Sequence, residues 1–357
     1  MTRLDKLKGF IKNKDEALLI TNEVNIGYFS GFFHSEGYLL VTGENSYLIV
    51  DFRYAEAAEK KSSGCKVVMY SKLSQDLLDI LTKEGINSVT FEADSITVSR
   101  FEFFKKFLAQ HNIDCFADQK LCKHIADIRI IKDSSEIEKI QKAQNIAEKA
   151  YLEVLNYVKP GVTEKEISAR LEYLMNIYGA ECKSFDLITI TGKKTSLPHG
   201  VPSDGIVKEG DFFIFDFGAV YEGYHSDTTR TVAVKYATDK MTEIYNIVLK
   251  AQLAALEKIK PGVKCSEVDK TARDIISEHG YGKFFGHATG HGVGLDIHEA
   301  PTVSPRGEIT LKSGMVITDE PGIYLPNEFG VRIEDMLCVT DEGCKNFVSL
   351  PKELIIV

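Results

Sequence analysis

Residues Asn145–Val162 read NIAEKAYLEVLNYVKPGV, and 101 positions later Asn246–Val263 read NIVLKAQLAALEKIKPGV. Ten of these eighteen positions are identical. In both copies apolar residues recur at helical spacing up to Lys-Pro-Gly-Val, where proline and glycine stop one helix and another begins. After the first stop, Thr163-Glu-Lys-Glu166 forms a capping box for a helix to Tyr178-Gly179; after the second, Cys265–His279 is its counterpart and also ends at a glycine, Gly280. One helix pair is thus written twice, and a duplication of this length predicts two structurally equivalent halves.

A β-run repeats as well. Lys208–Gly218, KEGDFFIFDFG, aligns with Lys312–Gly322, KSGMVITDEPG, at a shift of 104, so that Asp216 falls on Glu320. An acidic residue follows on each expected return strand: Asp227 beyond the turn Tyr221–Tyr224, and Glu334 beyond the turn Pro326–Gly330. The pattern predicts a pseudo-two-fold domain in which each half offers a two-carboxylate hairpin to a shared central cleft.

Upstream, short β-like runs at Ala17–Thr21, Tyr38–Thr42, Ser46–Phe52, Lys66–Tyr70 and Ser88–Glu92 alternate with helical stretches such as Gln75–Glu84 and Arg100–His111. Such alternation argues for an α/β domain. Ser134-Ser-Glu136 then opens a long helix reaching about Val158, which places a boundary near residue 130 and predicts domains at 1–130 and 131–357. A chain of 357 residues buries roughly three quarters of its unfolded surface and needs no staples, so a metal here is expected to be functional.

Composition excludes several classes. Net charge is −9, without a Lys/Arg block, which argues against nucleic acid as a partner. The seven cysteines are odd in number and form no C-x-x-C pair, as suits a reducing cytoplasm. The charged N-terminal stretch has no apolar core of a leader, and no run approaches the ~20 apolar residues of a membrane span, so a cytoplasmic protein with no membrane partner is expected.

Four carboxylates converging on one cleft cannot all stay ionised without cations, because like charges at close range oppose ionisation. A pair of divalent ions resolves this, and a carboxylate-rich site with about one imidazole suits Mn²⁺, with Co²⁺ or Zn²⁺ as alternatives. Candidate imidazoles lie in Phe285–Pro301, FGHATGHGVGLDIHEAP, which holds His287, His291 and His298. Taken singly, Asp216 would read as a strand-end residue, the glycines as tight turns, and Arg332 as a partner for neighbouring Glu334. The coincidence of two symmetry-related carboxylate pairs with a His-Gly run favours a metal site.

At these residues the chain resembles the pita-bread metallopeptidases, specifically the branch of Xaa-Pro aminopeptidases and Xaa-Pro dipeptidases (prolidases). The resemblance runs from Asn25–Gly31 and Asp51-Phe-Arg-Tyr54 to Val331–Asp335. It implies a creatinase-like α/β N-terminal domain followed by an α+β pita-bread catalytic domain with the internal pseudo-two-fold repeat. It also implies five metal ligands, Asp216, Asp227, His291, Glu320 and Glu334, and places His199, His287, His298 and Arg332 at the substrate. Asp319, where relatives more often carry an uncharged residue, is a departure that would add negative charge around the site.

The expected reaction is hydrolysis of the bond before proline, a tertiary amide without an N–H. His298 and His199 would stabilise the oxyanion or orient the substrate, Glu320 would pass a proton toward the proline nitrogen, and His287 would line the proline pocket. Overall similarity leans to the aminopeptidase, with the dipeptidase as alternative and a non-catalytic binding protein on the same fold as a remote third. The resemblance further implies a homodimer acting on proline-containing peptides.

Overall fold

The computed structural model describes residues 2–33 and 36–357, which form two compact units, Met1–Arg129 and Ile130–Val357. In the first, the apolar runs Gly37–Thr42 and Ser46–Val50 lie side by side, almost wholly buried on both faces. They belong to a six-stranded mixed sheet in the order Lys66–Met69, Ser46–Val50, Gly37–Thr42, Glu16–Ile20, Ser88–Glu92, Asp114–Asp118. Leu19, Leu40, Ile49 and Phe91 of the sheet pack with Leu77 and Leu81 of the helix Leu73–Lys83 and Phe104 and Leu108 of Val98–Ala109. Continuous apolar strands need helical cover of this kind.

The second unit opens with the helix Ser134–Val154, continued by a short 3₁₀ turn, Leu155–Tyr157. Its cap is Asp133, one residue earlier than the Ser134 opening read from the sequence, and Asp133 and Glu136 form a reciprocal capping box. Asp133 Oδ1 accepts from the Glu136 amide at 3.0 Å, whereas Ser134 already lies inside the helix, where its side chain cannot serve as the cap. Glu164–Ile177 carries the capping box at Thr163 and Glu166, and Asp239–Lys258 with Cys265–Glu278 supply the second helix pair.

Each half then forms a long hairpin broken in the middle. In the first, Phe212–Phe217 pairs antiparallel with Thr228–Ala233, and beyond the break Ala219–Tyr221 pairs with Tyr224–His225. In the second, Val316–Asp319 pairs with Asp335–Val339, and beyond the break Gly322–Leu325 pairs with Phe329–Arg332. The pseudo-two-fold architecture expected from the duplication, and the pita-bread fold that the resemblance implies, are both present. Val248, Ala251 and Ala255 of one helix and Ala272 and Ile276 of its partner bury against Ile317, Ile323, Val331 and Leu337 of the second hairpin. Among the described residues no helix is long and apolar enough to cross a membrane.

Candidate metal centre

The carboxylates sit at the hairpin breaks. Asp216 is in the strand Phe212–Phe217 opposite Thr229, Asp227 immediately precedes Thr228–Ala233, Glu320 immediately follows Val316–Asp319, and Glu334 immediately precedes Asp335–Val339. A break frees a side chain from strand alternation, so residues on both arms turn into the same space. Gly218 makes the first break possible: a Cβ there would lie 1.8 Å from the Ser226 carbonyl oxygen.

His291 arrives from the short strand Gly290–Gly292, which pairs antiparallel with Val316–Asp319 in the sheet of the second hairpin. Its Nε2 stands 3.4 Å from Asp227 Oδ2 and 3.5 Å from Glu320 Oε1, and ligand atoms of Asp227, His291 and Glu334 all lie within 4.8 Å of one another. His291 Nδ1 lies 3.1 Å from the Gly292 carbonyl, which can only accept, so Nδ1 carries the proton and Nε2 faces the carboxylates. Glu334 is held by Thr229 Oγ1, which donates to its Oε2 at 2.7 Å, while the Glu320 amide donates to Thr289 O at 2.7 Å.

Electrostatics shows what this arrangement lacks. Burial, the largest cause, pushes Asp216 up to about 6 against the opposing charge of Arg332, and Glu320 up to about 7 against His291 and Arg332. Burial and then the charge of Asp227 push Glu334 well above the usual carboxylate range. Burial alone would lower His291, but the hydrogen bond to Asp227 and the charge of Glu320 outweigh it and raise the group to about 9. Crowding these carboxylates in a buried space thus opposes their ionisation. Asp216 Oδ1 is moreover buried without a hydrogen-bond partner among the described residues. Unpaired carboxylate oxygens around a correctly oriented imidazole fit a divalent metal.

The nine residues singled out from the sequence come together. Asp216, Asp227, His291, Glu320 and Glu334, with His199, His287, His298 and Arg332, all line one cavity of about 350 Å³, whose remaining wall includes Phe185, Ile188, Pro198 and Ile297. Arg332 does not pair with Glu334 as a reading of the local sequence suggests. Its Nη2 donates to Asp216 Oδ2 at 2.6 Å, Nη1 to Tyr324 OH at 2.8 Å and Pro198 O at 3.2 Å, and Nε to Thr229 Oγ1 at 3.0 Å. The strand Phe329–Arg332 ends before Glu334, and its last side chain is directed across the fold rather than along the chain.

His287 is neutral in this setting. Its Nδ1 donates to Ala288 O at 2.8 Å, its Nε2 accepts from Tyr324 OH at 2.9 Å, and burial followed by the charge of Arg332 lowers it to about 4. His298 meets His291 edge-on with ring centroids 4.4 Å apart. Sequence reading missed Tyr324, Thr229 and the pair Asp269–Arg273. Arg273 binds both Asp269 oxygens at 2.8 Å and donates to the carbonyls of Phe285 and His287, while Asp269 accepts from Thr289, so the helix Cys265–Glu278 fixes the loop leading to His291. The i,i+4 spacing of Asp269 and Arg273 was the available signal. Asp319 lies on the opposite strand face from Thr318 and Glu320; it is fully buried, and among the described residues neither of its oxygens has a hydrogen-bond partner.

Comparison with known proteins identifies the family. The model of metallopeptidase family M24 matches residues 138–341, and that of the creatinase/prolidase N-terminal domain matches residues 3–123. An Xaa-Pro dipeptidase of Pyrococcus horikoshii is 43% identical over 96% of this chain and 95% of its own length. The structure of an Xaa-Pro dipeptidase from Bacillus anthracis superposes with a TM-score of 0.95 at 40% identity, covering 99% of both chains. That of an X-Pro aminopeptidase from Thermotoga maritima gives 0.93 at 36% identity, covering 99% of this chain and 100% of its own.

Proposed function

The chain belongs to metallopeptidase family M24 and is a metal-dependent hydrolase, and from that premise we propose that it hydrolyses the bond between Xaa and proline, acting as an Xaa-Pro dipeptidase. The observation that carries the reading is the cavity in which the Asp, Glu and His donor set faces an apolar wall of Phe185, Ile188, Pro198 and Ile297. Its 350 Å³ lies at the small end of the roughly 300–1,000 Å³ of small-molecule sites, a size suited to a short peptide. Relatives of about 40% identity over nearly the full chain carry the dipeptidase name, which moves the reading from the aminopeptidase favoured by the sequence to its alternative.

Asp216, Asp227, His291, Glu320 and Glu334 would hold two divalent ions, with Mn²⁺ first for so carboxylate-rich a set. When bound, such a pair supplies Lewis acidity toward the scissile carbonyl and lowers the pKa of water. Arg332 holds one oxygen of Asp216 and leaves the other free for the centre. His298 and His199, on the cavity wall, would orient the substrate and donate to the developing oxyanion. Glu320, whose Oε1 accepts from Thr318 Oγ1 at 3.4 Å, would pass a proton to the proline nitrogen, which must leave as an amine. His287, its Nε2 held by Tyr324 OH, would offer its ring face to the proline ring.

The aminopeptidase is the second reading. A neighbouring hollow of about 640 Å³, lined by Lys165, Lys183 and Val201, shares Asp186, Ile188 and His199 with the cavity and offers room for residues beyond proline. The deciding experiment is hydrolysis of an Xaa-Pro dipeptide against an Xaa-Pro-Yaa tripeptide after Mn²⁺ reconstitution, with Xaa-Ala as control. Preference for the dipeptide is expected; cleavage of the tripeptide alone would overturn the dipeptidase, and cleavage of Xaa-Ala alone would overturn both.

A further inference from the structure

We propose that the buried ion pair between Lys132 and Glu299 is a positioning device for His298. Among the described residues the ring of His298 has no hydrogen-bond partner of its own; what meets it is the edge of His291. Its place is therefore set through its backbone, and the next residue in the chain is Glu299.

Glu299 is fastened from two sides. Lys132 Nζ lies 2.6 Å from its Oε1, with the two side chains 1% and 11% exposed. On the other side the carboxylate rests on Gly294, where an added Cβ would lie 2.5 Å from Oε1 and 2.8 Å from Oε2, so that a side chain there would displace it. Glu299 also stands opposite Gly292 in the antiparallel pair formed by Glu299–Val303 and Gly290–Gly292, directly beside His291. One carboxylate thus ties the His298 backbone to the glycine-rich strand that carries His291.

Lys132 is itself anchored at a functional point. Its backbone N–H donates to Gly314 O at 2.8 Å, in the turn that enters Val316–Asp319 and leads to Glu320. The next residue, Asp133, caps the helix Ser134–Val154. A long, flexible ammonium side chain is an expensive group to bury, and a buried ion pair often adds little net stability over an apolar replacement. Fixing a histidine that has no tether of its own accounts for the pair, and the role rests on the reading of His298 given above.

The test is steady-state hydrolysis of an Xaa-Pro dipeptide by Mn²⁺-loaded variants. Lys132→Met should lower kcat by about 10- to 100-fold, the usual effect of losing a group that orients a site residue, while KM stays within about threefold. Lys132→Arg should recover most of the loss. In a His298→Ala background, Lys132→Met should cause little further loss, because the two changes act through one group. Wild-type kcat in Lys132→Met, or the full loss repeated without His298, would overturn the proposal. A second readout needs neither metal nor substrate: the His298 ring proton resonance of the metal-free protein, assigned by its absence in His298→Ala. It should be single in the wild type and broadened or displaced in Lys132→Met, and an unchanged resonance overturns the proposal whatever the substrate proves to be. Should Lys132→Met fail to fold, Lys132→Met with Glu299→Gln, which leaves no uncompensated charge, replaces it with the same expectations.

Discussion

Arg332 decides which oxygen of Asp216 is free for the centre: Oδ2 takes the guanidinium and Oδ1 has no hydrogen-bond partner among the described residues. Removing one partner of such a buried pair leaves an uncompensated charge, so Arg332→Met should destabilise the metal-free protein by about 3–5 kcal/mol in urea. Arg332→Lys, charged but unable to fork between Asp216, Tyr324 and Pro198, should fall between, and a wild-type midpoint for Arg332→Met would refute the assignment. His287 makes the pH prediction. Its folded-state pKa of about 4 lies below the ordinary 6.5. The neutral form is favoured on folding, so its stability contribution is complete above about 6.5 and is lost as pH falls toward 4, about 3 kcal/mol in all. The stability difference between wild type and His287→Gln should therefore shrink over that window; a difference independent of pH would contradict it. The carboxylates were legible in the sequence because the duplication displays them twice. Tyr324 and Thr229 were not, because their roles arise from strand register that no local pattern encodes. Asp319 lies on the strand face opposite Thr318 and Glu320, and burial followed by the charge of Asp335 pushes its carboxyl well above the usual range. With neither oxygen hydrogen-bonded, it costs stability, and Asp319→Val should raise the urea-unfolding free energy by about 1–3 kcal/mol.

At the scale of elements, the helix pairs were readable because a capping box is local: Thr163 and Glu166 act over one turn, as do Asp133 and Glu136. The hairpins were readable as strand–turn–strand, but their breaks were not, since a break is a property of two strands approaching and only one of them is visible in any window of sequence. Gly218 is the residue through which this can be tested. Its missing side chain lets the Ser226 carbonyl come in behind the strand, setting Asp216 and Asp227 on one side. Gly218→Ala should push the arms apart, costing about 1–3 kcal/mol as overpacking does, and should weaken Mn²⁺ binding measured by calorimetry far more than it weakens folding. Unchanged Mn²⁺ affinity in that variant would show that the break does not set the carboxylate spacing.

At the scale of the whole chain, all nine site residues and the loop-fixing pair Asp269–Arg273 belong to the unit Ile130–Val357, while the unit Met1–Arg129 is built on its own core around Leu19, Leu40, Ile49 and Phe91. The excess of acid over base acquires a specific meaning here, because the four carboxylates of the candidate centre lie in one unit. A ligand stabilises only the cooperative unit that binds it, by RT ln(1 + [L]/Kd), or about 2.7 kcal/mol at a hundredfold excess over Kd. Two cores of this kind should give two calorimetric transitions in the metal-free protein. Mn²⁺ should then raise the midpoint of the larger transition, that of the residues from Ile130 onward, and leave the smaller where it was. Chelation should reverse the shift. A single transition that moves as a whole with Mn²⁺ would mean that the units melt together, and the N-terminal unit would then share in the stability of the metal centre rather than stand apart from it.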